Sequence, residues 1–152
     1  MSQVKDAIAT GGCQCGAVRY ALYTAPQRSH ACHCRMCQRA TGGLFAALAG
    51  APRADFEWTK GVPAVFASSN LASRAYCREC GTPLSFSYNM PEAYFYITIG
   101  SLDNPEAAPI ERQFGVESRL SWVHFCDEVP GEKTGEGAKA AAFLAELKSN
   151  QG

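Results

Sequence analysis

The chain has no excess of either charge. Lysine plus arginine and aspartate plus glutamate both number 14 in 152 residues, for a formal net charge of +0. Proteins that grip nucleic acid or lie on an anionic membrane concentrate lysine and arginine, so this balance argues against both partners. No run approaches the ~18 apolar residues of a membrane-spanning helix. Residues 4–10 are too short and too polar for the apolar segment of a secretory leader, which sets the expectation of a cytoplasmic protein. Several catalytic signatures are missing as well. The sequence has no Gly-x-x-x-x-Gly-Lys-Ser/Thr phosphate loop, no Gly-x-Ser-x-Gly elbow and no His-x-Glu with Pro-Cys-x-x-Cys deaminase pairing.

What the chain does have is cysteine, eight in all. In a reducing compartment disulfides are rare, and metal or catalytic roles become the leading readings of such a count. The length is that of one domain with a single core. Hydrophobic residues make up 47% of the chain, as in an ordinary globular protein.

Short apolar and aromatic runs bounded by glycine, proline and asparagine predict an all-β domain. The expected strands are 17–23, 44–49, 56–59, 65–68, 73–76, 84–88, 94–99, 113–117 and 122–125. Residues 32–40 read as a tight turn entering one helical turn. We expect a zinc-binding domain over residues 8–130, then a linker and an amphipathic helix within 131–152. That helix, over 138–148, has Ala140, Phe143, Leu144 and Leu147 at helical spacing, a stripe suited to the β core or to a partner subunit. The stripe leaves a homodimer open.

Cys77-Arg78-Glu79-Cys80-Gly81 is a metal knuckle, since two intervening residues let both thiolates face one ion. Cys13-Gln14-Cys15 would place both side chains on one side of an extended strand. Together Cys13, Cys15, Cys77 and Cys80 make a closed four-sulfur site in which zinc is the default metal. Rubredoxin-type iron and unrelated buried thiols are the alternatives. Cys32-His33-Cys34-Arg35-Met36-Cys37 supplies three further sulfurs and no partner knuckle. Three protein ligands leave a zinc position open to water, a thiolate or a substrate. The alternatives are a second structural metal, idle reduced thiols, or a redox or metal-buffering role.

Arg35 and Arg39 lie close enough to attract an anionic ligand, and Thr41-Gly42-Gly43 offers backbone amides to it. His33 should point away from Cys32 and Cys34, towards solvent or substrate. His30 and His124 read as structural or solvated. Cys126 reads as a small buried hydrophobe, with completion of the second site a lesser reading.

Gly12-Cys13-Gln14-Cys15-Gly16, Cys32-His33-Cys34-x-x-Cys37 and Cys77-x-x-Cys80-Gly81-Thr82-Pro83-Leu84, in that order, resemble the glutathione-dependent formaldehyde-activating enzyme family, which includes centromere protein V. Trp58-x-x-Gly61, Gly100-Ser101-Leu102-Asp103 with Pro105, and Ser118-Arg119 before Trp122 agree. The likeness runs from about Gly11 to Pro130.

The resemblance implies a strongly curved, multi-sheet zinc-binding β fold. That fold is shared with a Rab-associated exchange accessory protein and zinc-bearing methionine sulfoxide reductases. It also implies two zinc ions per chain, a structural one on Cys13, Cys15, Cys77 and Cys80 and a more labile one on Cys32, Cys34 and Cys37. The implied activity is that of a carbon–sulfur lyase on glutathione–aldehyde adducts such as S-hydroxymethylglutathione, with a small thiol as partner. A non-catalytic binding module of the same fold is the alternative. One departure is Gln113, where many members carry a histidine nine residues before the tryptophan.

Overall fold

A computed structural model describes residues 4–124, 133, 136 and 138–148, and among these ten strands form two sheets. The smaller sheet has the order β1–β2–β5: β1 is Ala9–Gly12, β2 Arg19–Leu22 and β5 Phe56–Lys60. The larger has seven strands in the order β10–β3–β4–β9–β8–β7–β6. Here β3 is Gln27–Cys32, β4 Ala46–Ala51, β6 Ala64–Ala67, β7 Ala72–Tyr76, β8 Pro83–Tyr88, β9 Phe95–Thr98 and β10 Arg112–Phe114. All pairings are antiparallel except β10 on β3, which a long connection makes parallel. The expected all-β class is the one observed.

The core lies between the two sheets. Tyr20 and Leu22 of β2 meet Ala49 and Ala51 of β4, Leu84 of β8 and Ile97 of β9. Leu22, Leu84 and Ile97 are wholly buried, each contributing about 1.5–3 kcal/mol through removal of apolar surface from water. The Tyr20 hydroxyl, equally buried, is satisfied by Ser101 Oγ at 2.8 Å. Phe56, Trp58 and Phe95 pack ring against ring beside it.

The other face of the large sheet carries something different. Side chains alternate along a strand, so the register decides which residues meet. Cys32 pairs with Ala46, Leu48 with Thr98, Gly50 with Tyr96, Tyr96 with Phe86, and Phe86 with Arg74. Cys32, Leu48, Tyr96, Phe86 and Arg74 therefore share this face. It is covered in part by the short helix α1, Arg35–Thr41.

Three expectations change. β1 and β3 are strands that hydrophobic alternation did not reveal, because β1 is glycine-rich and β3 is largely polar. β3 also departs from regular pairing between Gln27 and His30, where Arg28 takes a positive φ of 53°. Within the expected strand 122–125, described residues 122–124 form no strand, and Trp122 is largely exposed. The C-terminal helix α2 is Ala138–Ala145, shorter than expected, and it leaves Phe143 and the following Leu147 exposed rather than packed on the β core. Cys126 and most of the 125–137 stretch lie outside the described residues.

Candidate metal centres

The first cysteine group forms where two hairpin turns meet. Cys13 and Cys15 sit in the turn after β1, which ends at Gly12, so the pair is held by a knuckle rather than an extended strand. The Gly16 amide turns back onto the Cys13 carbonyl at 3.2 Å. Cys77 and Cys80 sit in the turn from β7 to β8, where Gly81, at φ +80°, donates its amide to the Cys77 carbonyl at 2.8 Å. A left-handed residue is what that tight turn requires, and glycine adopts it without strain.

All four sulfurs lie within 4.8 Å of one another. Cys13 and Cys15 are 3.6 Å apart, and Cys15 and Cys77 are 3.8 Å apart. Four thiolates around a tetrahedral zinc at about 2.3 Å stand about 3.8 Å from one another, so this donor set fits such an ion. The Val18 amide donates to Cys13 Sγ at 3.2 Å. Thr82 links the two knuckles, its Oγ1 accepting the Gln14 amide at 3.0 Å and lying 3.2 Å from Cys80 Sγ.

These contacts divide the thiols. The Thr82 hydroxyl, with nearby amides, holds Cys80 down at about 5. Burial raises Cys13, but the Val18 amide and neighbouring thiols outweigh it and lower it overall. The Ala17 amide favours the Cys15 thiolate, yet desolvation and the three other sulfurs push Cys15 up to about 12. Protons shared unequally among crowded sulfurs are what a cation would displace.

The second group gathers at the start of α1. Cys32 ends β3, Cys34 caps α1 by accepting the Cys37 amide at 3.4 Å, and Cys37 lies buried in the first turn. Their sulfurs also lie within 4.8 Å of one another, Cys32 and Cys34 at 3.5 Å. Among the described residues no fourth cysteine, histidine or carboxylate joins them. A soft three-sulfur set of this spacing suits zinc with one coordination position free. The Cys32 thiol holds Cys37 down at about 5 against burial, with Arg74 adding to the effect. Cys32 is pushed well up, first because its proton serves Cys37 and then by burial.

Arg74 is the residue that sequence spacing did not single out. Its Nη2 donates to Cys37 Sγ at 3.3 Å and its Nε to Ser68 Oγ at 2.9 Å. The guanidinium carbon stands 4.8 Å from the centre of the Phe86 ring. Arg74 also lines a cavity of about 420 Å³, with Met36, Arg39, Leu48, Phe66 and Thr98 among its walls. Of the two arginines expected beside the cluster, Arg39 stands on this cavity and Arg35 turns to Gln38 Oε1 within α1.

Other expectations are corrected. His33 does point away from the cysteines, but into the protein and not to solvent. It is wholly buried, with Nε2 on Gln113 Oε1 at 2.9 Å and the Phe45 ring at 5.4 Å. The amides of Gly42 and Gly43 are not free for a ligand: they close α1 on the Gln38 carbonyl at 2.8 Å and on Thr41 Oγ1 at 3.3 Å. His30 is buried, its Nδ1 on the Arg28 carbonyl at 2.8 Å, as befits a structural histidine. His124 is exposed.

Known proteins bear on this arrangement in three ways. The profile of the glutathione-dependent formaldehyde-activating enzyme family matches residues 8–117. An uncharacterised lyase of Schizosaccharomyces pombe is 23% identical over 118 residues, covering 78% of this chain and 85% of the relative. The crystal structure of a Rhodobacter sphaeroides protein superposes with a TM-score of 0.53 at 24% identity, over 68% of this chain and 98% of that one, a likeness of fold. Since the profile spans most of the chain and takes in both cysteine groups, this protein belongs to the glutathione-dependent formaldehyde-activating enzyme family.

Proposed function

We propose that the protein is a carbon–sulfur lyase acting on adducts between glutathione, or another small thiol, and an aldehyde, S-hydroxymethylglutathione being the simplest. The observation that carries this reading is the convergence of Cys32, Cys34 and Cys37 without a fourth ligand among the described residues, with Arg74 joining Cys37 to the wall of a cavity. In the direction of synthesis the thiol sulfur forms a bond to the carbonyl carbon. The carbon–oxygen double bond becomes single, and the proton lost by sulfur ends on oxygen. No electrons are gained or lost, so the reaction needs no redox partner.

Cys32, Cys34 and Cys37 would hold zinc, and Cys13, Cys15, Cys77 and Cys80 a second ion that serves the fold. Zinc bound by three thiolates supplies a Lewis-acid position at which a thiol is stabilised as thiolate or a carbonyl is polarised. The chain's own residues do the rest. Arg74 stabilises the charge on Cys37, and the Cys37 amide does the same for Cys34. The cavity walls bring the two reactants together, which converts a bimolecular encounter into a local one. Arg39 adds positive charge at the cavity, favouring an anionic thiol.

Exchange NMR on glutathione and formaldehyde at equilibrium tests the proposal, with zinc-replete protein set beside Cys34→Ala. Acceleration that disappears in a folded Cys34→Ala protein is the expected result. Full exchange activity in that variant, or none in wild type carrying two zinc ions, would overturn it.

A further inference from the structure

Arg74 sits in an unusual position for a guanidinium. It is half-buried, and among the described residues no carboxylate pairs with it; its polar partners are Cys37 Sγ and Ser68 Oγ. Ser68 and Cys37 take two of its five N–H groups. The remaining three have no acceptor among the described residues. A partly desolvated cation held in one orientation but left with unused donors is a preorganised anion receptor.

The geometry points to Arg74 as the specificity-determining residue of this site. It binds a carboxylate of the incoming thiol at the cavity while keeping its bond to Cys37. This rests on the reading above, that the cavity lined by Arg74 brings the thiol to the second cysteine group. The consequence is selection of carboxylate-bearing thiols over neutral and cationic ones.

Two features separate Arg74 from a simple counter-charge for Cys37. With Nε on Ser68 and one Nη2 hydrogen on Cys37, both Nη1 hydrogens and the second Nη2 hydrogen remain to donate to a carboxylate. The guanidinium is also fixed on three sides, by Ser68 Oγ, by Cys37 Sγ and by the Phe86 ring, so little rotamer freedom is lost on binding. Arg39, on the same cavity but exposed, has no such fixing contacts among the described residues and supplies charge without orientation. The strand register makes the arrangement possible, since Arg74, Phe86 and Tyr96 stand in one row across β7, β8 and β9.

Calorimetric titration with S-methylglutathione and its diethyl ester tests this, because neither probe has a thiol and neither reports turnover. Zinc-replete wild type should bind the free acid about tenfold or more tightly than the ester, as expected for a charge-assisted pair. Arg74→Gln should bring that ratio close to one while leaving affinity for the ester unchanged. Arg74→Lys should give an intermediate ratio, and Arg39→Gln should keep most of it.

A ratio unaffected by Arg74→Gln, or no preference for the acid in wild type, would overturn the assignment. If Arg74→Gln does not fold, Arg74→Lys and the wild-type ratio decide. An Arg74-dependent ratio without accelerated thiol–aldehyde exchange would remove the lyase reading and keep the receptor. Accelerated exchange with a ratio independent of Arg74 would do the reverse.

Discussion

The buried ring of His33 donates from Nε2 to Oε1 of Gln113 at 2.9 Å, joining the stretch between Cys32 and Cys34 to strand β10. His33 Nδ1 is the one buried side-chain nitrogen or oxygen without a partner among the described residues. Gln113→Ala would leave both ring nitrogens unpaired. We expect it to lower stability by about 1–3 kcal/mol, the cost of an unsatisfied buried polar group. Urea denaturation measures this, and an unchanged midpoint would mean that the contact is not made in solution.

The two cysteine groups should respond differently to loss of a ligand. Cys13, Cys15, Cys77 and Cys80 join the turn of the small sheet to a turn of the large one. Zinc bound there would contribute on the order of 10 kcal/mol, comparable with the whole stability of a domain. Cys80→Ser should therefore unfold the chain or strip its metal, whereas Cys34→Ala should stay folded with one zinc fewer. Elemental analysis and far-ultraviolet circular dichroism read both. A stable, fully folded Cys80→Ser protein would count against the structural role.

Gly115 lies at φ +62°, and a Cβ there would stand 2.8 Å from the Cys34 amide nitrogen. Gly115→Ala combines left-handed backbone strain of about 1–2 kcal/mol with a clash against the residue that caps α1. We expect a lower melting temperature and weaker zinc retention by the second group, measured by competition with a chromophoric chelator. Retention equal to wild type would show that the loop can move aside.

Arg19 pairs with Asp103, Nη1 to Oδ1 at 2.9 Å, and Thr10 donates to Oδ2 at 2.6 Å. These contacts hold the Asp103 carboxyl below its ordinary 3.8, Arg19 foremost. A carboxyl lowered by folding contributes stability that is present above its unfolded value and is lost as pH falls through the folded one. The loss therefore comes below about pH 4. Both side chains are substantially exposed, so the contribution is about 0.5 kcal/mol. Asp103→Asn should reduce stability at pH 7 by that amount and converge with wild type at low pH. A difference that persists at pH 2 would assign the effect to packing instead.

Fold class and the grouping of the cysteines could be read from local sequence. Turn residues and short apolar runs are local signals, and cysteine spacing within a knuckle is set by a few backbone angles. Cys77-x-x-Cys80-Gly81 was legible for that reason. So was α1 after Cys34, although the chain makes a longer helix than the single turn expected there. β1 and β3 were not legible, because glycine and polar residues fill them and pairing with β2 and β4 makes them strands.

Long-range folding brings Arg74 to Cys37, His33 to Gln113 and Gly115 to Cys34. Each pair is far apart in sequence, and the pairing register of β3, β4, β9, β8 and β7 decides which residues share the sheet face with the second group. A shift of one residue in any of these strands would turn Arg74 or Cys32 to the opposite face. Local chemistry names the candidate metal ligands, whereas long-range pairing chooses the charges and walls around them.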